Sequence, residues 1–503
     1  MIGWSTDFIR LLWGLFYWNT RKSWFRYRRG RSPCPCQSPS DTGRAYETQC
    51  EPCLSWNQPA RFRKVCPLLV QTKRGWRCSV DSADVRPLWR QALPYYGGVL
   101  GILYLTGVIG VFSFLRTVGY PISIVHVIVP PFWGRITQAR SAFFLQKSNL
   151  AFDQDRIPEG LLYLANAYEF DPNNYAAGLS LAKHLQVGRP AHSDDIYQRL
   201  LREHPGKRHA TAQDWFRALL ARGSFDRIAL LARDELLANS PFAPVWVRAL
   251  IFAARRQTSD RLLRELVANP TPAAQVWRPI LEIELLLRAG RTREARAALE
   301  APWPASAPGF SLYYRVDGLI QMRDTFAALD LLSRYPGRLD PEATLTLRLD
   351  ALAAGGMRRA HRQEIGQFLA TPLTPANLSL VKILCAHLIR FPDPAIFQDL
   401  AQKLAQDPLP LDTGSAGIWF SLLCTAGAVG DHARLHEIAV RLRHASKHPF
   451  LAMIGVEAFF RGETAERKIT AFLPILPLPL EVTYALFERY PLPAATPPPP
   501  GRA

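Results

Sequence analysis

The chain has 503 residues, of which 48% are hydrophobic and 20% charged, and this composition excludes a disordered protein. A chain of this length is too long to fold around a single hydrophobic core of ordinary size, so several domains or a repeat array are expected. The net charge is +19, and residues 1–96 carry 16 Lys/Arg against 6 Asp/Glu, which favours anionic lipid or nucleic acid as a partner.

The first predicted element is a basic amphipathic segment at residues 1–30. Its apolar run, FIRLLWGLFYW at 8–18, is too short to span a bilayer and is followed by RKSWFRYRRGR. Tryptophan next to arginine is typical of a helix in the headgroup region, so anionic membrane lipid is the expected partner. The apolar face of a small domain is the alternative. Nucleic acid is disfavoured because the arginines adjoin an apolar helix.

A cysteine-rich module is predicted at residues 31–93. Six of the eight cysteines of the chain lie there, with the spacing C-x-C, thirteen residues, C-x2-C, twelve residues, C, eleven residues, C. Two close pairs can hold one tetrahedral ion. The predicted metal ligands are Cys34, Cys36, Cys50 and Cys53, with Cys66 and Cys78 as spare ligands or parts of a larger site.

The chemistry of this cysteine cluster depends on its compartment. No histidine precedes residue 126, so a zinc site here would be entirely thiolate, and an iron–sulfur cluster would use the same ligands. In a reducing cytoplasm metal binding is favoured, whereas in an oxidising compartment three disulfides are favoured. A third alternative is that the cysteines form neither.

A transmembrane helix is predicted at residues 97–115, GGVLGILYLTGVIGVFSFL. These residues carry no charge, and as a helix they would extend about 28 Å, close to the thickness of the hydrocarbon core. A buried helix of a soluble domain is the alternative. Gly97 and Gly101 form a GxxxG motif, so a homodimer through this helix is a further hypothesis.

An apolar connector is predicted at residues 116–138. The run VGYPISIVHVIVPPFW at 118–133 is interrupted by prolines, which favours an extended or interfacial segment over a second short span. Lys and Arg are concentrated before the predicted helix, so the N-terminus is expected in the cytoplasm and the remainder outside it. A second crossing would return the C-terminal part to the cytoplasm.

Helical repeats are predicted at residues 139–465. Amphipathic helices recur there with a period of 33 to 36 residues, and small residues, turn glycines and terminal prolines stand at matching positions. The matches are Ile157, Gly160, Leu164, Ala167 and Pro172, then Gly188 and Pro205, then Gly223, Phe225 and Ala232, and more loosely Ala295 and Gly430. This pattern resembles the tetratricopeptide repeat (TPR), a 34-residue helix-turn-helix unit.

The predicted fold is therefore all-α: a TPR-like α-solenoid after a transmembrane helix, preceded by a small cysteine-rich module. The resemblance implies an extended surface that binds a protein or peptide partner. Residues 466–503 are expected to form a C-terminal helix and a free proline-rich tail. Cys385 and Cys424 lie in apolar helical runs and are expected in the core.

No phosphate loop, nucleophile elbow or HExxH motif is found, so the chain is not expected to be an enzyme. The pairs His432/His436 and His444/His448 have a metal-compatible spacing, but their polar surroundings favour solvated helix faces. The predicted function is a membrane-anchored scaffold, and the Ala/Leu/Arg/Pro-rich composition favours a bacterial source. The alternative is a thiol- or metal-dependent membrane enzyme that uses the cysteine cluster while the repeats recruit substrate.

Overall fold

The computed structural model describes residues 88–492 except 305, 375–376, 413, 446–451 and 464–467. It also describes Trp13, Phe16 and the backbone at 37–38, 47–48, 69–72 and 75–78. Side chains are described from Gly97 onward, apart from Ala452, and at Trp13 and Phe16, which are both helical and exposed. The chain divides into two compact units, Met1–Phe143 and Phe144–Ala503.

The first unit contains two short antiparallel hairpins and a long helix. Strand β1 (Gln37–Ser38) pairs with β2 (Glu47–Thr48), and β3 (Leu69–Thr72) pairs with β4 (Gly75–Cys78). Helix α1 covers Leu88–Val118, and its part Gly97–Val118 has a mean hydropathy of 2.1. In the described part of the chain, it is the one helix long and apolar enough to cross a membrane.

The apolar connector after α1 contains only short helical pieces. These are α2 (Ile124–Ile128) and a 3-10 turn at Pro130–Phe132, after which α3 (Gly134–Asp153) begins. Prolines explain the short pieces, since a proline ring fixes φ and removes a backbone donor. Neither α2 nor the 3-10 turn approaches the length needed for a span.

The second unit is a series of helices in which neighbours along the chain pack against each other. This confirms the predicted helical array. After α3 the helices are α4 (Ile157–Phe170), α5 (Tyr175–Gly188), α6 (Pro190–Glu203), α7 (Arg208–Arg222), α8 (Phe225–Leu237), α9 (Ala243–Ala254), α10 (Arg261–Ala268), α11 (Pro272–Gln275), α12 (Arg278–Arg288) and α13 (Thr292–Glu300). The series continues with α14 (Gly309–Gln321), α15 (Thr325–Arg334), α16 (Pro341–Ala354), α17 (Arg358–Ala370), α18 (Leu378–Arg390), α19 (Pro394–Gln406), α20 (Ala416–Val429), α21 (His432–Ala445) and α22 (Ala452–Arg461).

Helix ends in this series follow ordinary capping rules. Pro190, Pro341 and Pro394 stand in the first turn of α6, α16 and α19, where no backbone donor is needed. Gly223 ends α7 with a φ of 68°, a left-handed conformation that glycine adopts without strain. A Cβ at Gly223 would also lie 2.6 Å from the Leu492 side chain, so this glycine permits both the turn and the contact with the C-terminal segment.

The C-terminal segment, residues 468–492, does not continue the series at its end. It comprises two 3-10 turns, Ile469–Ala471 and Leu473–Ile475, and helix α23 (Leu480–Arg489). Helix α23 packs against α18 and α7, which are more than eighty residues earlier in the chain. Its Phe487 ring lies 5.5 Å from that of Phe225. Residues 493–503 of the predicted tail lie outside the described residues.

Successive helices of the series pack as pairs, and we call the earlier member of each pair a first helix: α7, α9, α14, α16, α18 and α20. Most contacts of the C-terminal segment fall on first helices. Tyr484 packs edge-on against Phe252 of α9 at 4.4 Å, and Pro477 and Pro479 lie beside Gly417 of α20. Residues Val482 to Phe487 are all buried. Part of the surface that a helical array would offer to a partner is therefore occupied here by the chain's own C-terminus.

We expect Phe487→Ala to lower the free energy of unfolding of the second unit by about 3–5 kcal/mol, because it would leave a cavity in a packed core. Phe487 is 0% exposed, whereas Phe326 is 78% exposed and provides the matched control, Phe326→Ala. Urea unfolding of the full chain in detergent measures both. Equal decreases in the urea midpoint for Phe487→Ala and Phe326→Ala would contradict the burial of α23.

Candidate binding cleft beside the C-terminal helix

Helix α23 presents an acidic edge beside its buried apolar face. Glu481 and Glu488 are two helical turns apart and therefore lie on one side of the helix, with Tyr484 between them. Both glutamates are exposed, and Tyr484 is buried. Positive side chains of the first helices meet this edge and build the polar site described next.

Arg390, the last residue of α18, joins α23 to the array. Its Nη1 lies 2.7 Å from Oδ2 of Asp350, and its Nε lies 2.6 Å from Oε2 of Glu488. Burial would raise the pKa of Asp350, but the charge of Arg390 and the hydrogen bond from His387 lower it below its ordinary value. Arg390 is thus held between two carboxylates from separate helices, α16 and α23.

Two buried histidines extend this polar network away from α23. Nδ1 of His387 lies 2.6 Å from Oδ1 of Asp350, and its Nε2 lies 2.7 Å from Nε2 of His361. A single proton must lie between the two Nε2 atoms, since one nitrogen donates and the other accepts. Burial lowers the pKa of His361 to about 4, so this ring is neutral near pH 7. The network fixes α16, α17 and α18 relative to one another.

Arg248 of α9 lies between two tyrosine rings. Its guanidinium carbon is 4.6 Å from the ring centre of Tyr484 and 5.5 Å from that of Tyr313. This stacking stabilises the cation without using its N–H donors. Within the part of the chain that the structure describes, Arg248 makes no hydrogen bond or ion pair, so its donors remain available.

An open cleft of about 330 Å³ lies beside this stacked arginine. First helices α9, α14, α16 and α18 line it together with the N-terminal end of α23. Lys382 adds a second cation that makes no hydrogen bond or ion pair to a described residue, and Thr346 and Ser379 add hydroxyls. Glu342 and Glu481 are exposed and also line the cleft. The arrangement can bind a polar peptide segment that brings acceptors to Arg248 and Lys382.

A smaller cavity of about 50 Å³ lies between α9, α14, α18 and α23. It has room for a few water molecules. Asp317 lines it together with Arg255, Glu488 and the aromatic rings already named, and Asp317 Oδ2 accepts a hydrogen bond of 2.7 Å from Gln321. Burial raises the pKa of Asp317 to about 6, since the nearby arginines offset only part of the cost of desolvating its carboxylate.

The cysteines predicted as metal ligands lie outside the described side chains. Cys78 is the last residue of β4, and its backbone pairs with Leu69, whereas the other members of the cluster lie outside the described residues: Cys34, Cys36, Cys50, Cys53 and Cys66. The thiolate metal site stays a prediction. Among the described residues, no group of three or more His, Cys, Asp or Glu side chains is arranged to hold a metal ion.

Cys385 and Cys424 are both 0% exposed, which confirms their predicted place in the core. Burial raises the pKa of the Cys385 thiol to about 12 and raises that of Cys424 as well, so both remain protonated near pH 7. Of the predicted surface histidines, His436 is exposed and its Nδ1 lies 2.8 Å from Oε2 of Glu457. His448 lies outside the described residues.

Sequence reasoning missed the residues that build the cleft. Arg248, Lys382 and Arg390 each lie in an apolar helical run, and an isolated cation there is usually a solvated side chain. The only local signal was the interruption of strongly apolar stretches such as LVKILCAHLIR at 380–390. Their convergence depends on α23, whose position no local pattern indicates.

No protein-family model matches the sequence, and no curated protein sequence matches it. The contacts described above therefore carry the functional conclusion.

We expect Asp317→Asn to stabilise the protein near pH 7.5 by about 1–3 kcal/mol and to have little effect near pH 4.5. The folded state holds the Asp317 proton up to about pH 6, whereas the unfolded chain releases it near 3.8. Lowering the pH through this window therefore stabilises the folded wild-type protein, and the variant lacks that gain.

Thermal unfolding of the full chain at both pH values measures this difference. Asp330→Asn is the matched control, since the Asp330 side chain is 53% exposed and pairs with Arg334 on the same helix. If Asp317→Asn changed the unfolding temperature equally at the two pH values, the result would contradict a buried, destabilising charge on Asp317.

Proposed function

We propose that the chain is a membrane-anchored scaffold whose TPR-like helical array binds a peptide segment of a partner protein. The observation that carries this proposal is the open cleft beside α23, in which Arg248 and Lys382 have no described hydrogen-bond or ion-pair partner. Unpaired cations at the wall of a preformed cleft are suited to a ligand with acceptor groups.

The occupied part of the array supports the same proposal. First helices already hold polypeptide in the form of residues 468–492, through aromatic contacts such as Phe252 with Tyr484 and through the ion pair of Arg390 with Glu488. Their surface thus has both the apolar and the charged groups that peptide binding requires. The cleft is the adjoining part of this surface that α23 leaves open.

The proposed anchor is the helix at Gly97–Val118, with anionic lipid bound by the basic residues that precede it. Large apolar side chains on this helix are exposed, including Leu100, Ile102 and Leu103 at 64–67%. Such exposure is unfavourable in water and ordinary in lipid. By the positive-inside tendency, the proposed orientation places residues 1–96 in the cytoplasm and the helical array on the other side.

A cysteine-ligated zinc ion is the proposed stabiliser of the N-terminal module, since a small module with little core needs a cross-link of some kind. The proposed ligands are the close pairs Cys34/Cys36 and Cys50/Cys53. In a cytoplasmic module these thiols stay reduced and free to bind the ion.

We expect a photoreactive p-benzoylphenylalanine at Ser379 to cross-link the full chain to a discrete partner in intact cells. Ser379 lines the cleft, whereas Arg359 lies exposed on α17 and serves as the matched position outside it. The double substitution Arg248→Ala and Lys382→Ala removes two charged donors, so the Ser379 cross-link should fall at least tenfold. Equal cross-linking at both positions, or a cross-link unaffected by the double substitution, would contradict the proposal.

We expect purified full-length protein to contain about one zinc ion per chain, and the double substitution Cys50→Ser and Cys53→Ser to remove it. Elemental analysis measures the metal, and Cys385→Ala is the control that should retain it. Loss of metal with unfolding of the N-terminal module indicates a structural site. Retained folding with lost thiol reactivity would favour the enzyme alternative, and six thiols blocked as disulfides would contradict the metal site.

A further inference from the structure

After α1 ends, the chain folds back along the helix it has just left. Gly119 turns the chain with a φ of 99°, a conformation that favours glycine, and a Cβ there would lie 3.1 Å from the Phe143 ring. Helix α2 then packs against α1, and the Tyr104 hydroxyl donates a hydrogen bond to the Ile128 carbonyl. Tyr104 precedes the end of α1 by fourteen residues, so the chain returns by about 21 Å along the helix axis.

Side chains donate hydrogen bonds to backbone carbonyls of this returning segment. Helix α2 has five residues and cannot pair its own last carbonyls. The indole Nε1 of Trp133 donates to the Val127 carbonyl at 3.0 Å, and Tyr104 donates to the next carbonyl. In water these carbonyls would need no such donors, whereas in hydrocarbon each unpaired carbonyl is costly.

The segment is apolar on both of its sides. Residues 117–134 carry no charged side chain other than the titratable His126, whose Nδ1 lies 3.5 Å from the Ser123 nitrogen. Ile122 and Val127 are buried, whereas four large side chains face outward with 39–53% exposure: Ile124, Val125, Phe132 and Trp133. Helix α1, against which α2 packs, also exposes large apolar side chains such as Leu103 and Ile109.

Arginines bound the segment at both ends. Arg116 precedes it, and Arg135 follows it with its guanidinium carbon 5.4 Å from the Phe132 ring centre. Arg140, one turn and a half later, lies over the Tyr120 ring at 6.0 Å. Because Tyr120 lies two residues beyond the end of α1, Arg140 is at the level where the headgroup region is expected, and its long side chain can reach that region.

We propose that residues 119–133 form a re-entrant wedge that inserts into the bilayer from the side on which α1 ends, with lipid acyl chains as its partner. The proposal rests on the proposed membrane anchor and deepens it. A wedge enters and leaves on one face, so the chain crosses the bilayer once. Residues 1–96 and the helical array then lie on opposite sides.

Lipid cross-linking in vesicles tests the wedge. The full chain is reconstituted in phosphatidylcholine with phosphatidylglycerol, carrying p-benzoylphenylalanine at Val125, at Leu103 of α1, or at Phe326 of the helical array. We expect lipid adducts at Val125 and Leu103 with yields within about threefold of each other, and less than a tenth of that yield at Phe326. Phe132 offers a second wedge position if the Val125 variant does not fold.

The outcomes separate the wedge from the anchor. Adducts at Leu103 without adducts at Val125 and Phe132 would overturn the wedge and leave the anchor in place. Absence of adducts at Leu103 would overturn the anchor and the wedge together. Epitope tags at the two ends of the full chain should be accessible from opposite faces of the membrane, and tags on the same face would show a second crossing and overturn the wedge.

The contact between Tyr104 and Ile128 has its own test. Tyr104→Phe removes the donor, so the Val125 adduct should fall at least threefold while the Leu103 adduct is unchanged. Tyr120→Phe is the matched control, since the Tyr120 hydroxyl makes no hydrogen bond to a residue that the structure describes, and it should change neither adduct. An unchanged Val125 adduct in the Tyr104→Phe protein would overturn the fold-back contact as the device that holds the wedge.

Discussion

The burial of helix α23 is the interaction on which the rest of the second unit depends. Six consecutive residues, Val482 to Phe487, are buried, so nearly the whole circumference of this helix is covered by other parts of the chain. A helix of ten residues is not stable alone in water and requires such covering. The first helices provide it, and in doing so they are joined across long distances in sequence.

Through α23, helices that are far apart in the sequence are joined to one another as well as to their neighbours. In an open helical repeat each pair contacts only its neighbours, and stability is a sum of local terms. Here the ion pair of Arg390 with Glu488 connects residues 98 positions apart. Asp350, Arg390 and Glu488 are paired at this junction, whereas Arg248 and Lys382 at the open cleft make no hydrogen bond or ion pair to a described residue. A surface that combines rigid support with unused donors is a reasonable place for ligand recognition.

Much of the second unit could be predicted from the sequence because its signals are local. The period of apolar residues indicated helices, and prolines and glycines marked their ends, as at Pro190 and Gly223. The position of α23 could not be predicted, since nothing within the segment 480–489 identifies Phe225 or Arg390 as its neighbours. The cleft could not be predicted for the same reason.

The first unit shows the same division between local and distant information. The uncharged run at 97–115 indicated a helix, and the structure extends it to Leu88–Val118. Prolines indicated that residues 118–133 would not form a second long helix, but the return of Ile128 to the level of Tyr104 is a tertiary contact that prolines cannot predict. The chemistry of the cysteine module stays a prediction, since it depends on the redox state of the compartment, which cysteine spacing alone does not encode.

Hydrogen exchange of the full chain tests the central role of α23 most directly. If the first helices enclose α23, the amides of Tyr484 to Arg489 exchange as slowly as those of Cys385 to Arg390 in α18, about a thousandfold or more slower than an unstructured peptide. Exchange of the α23 amides at the rate of an unstructured peptide, with α18 still protected, would contradict the account.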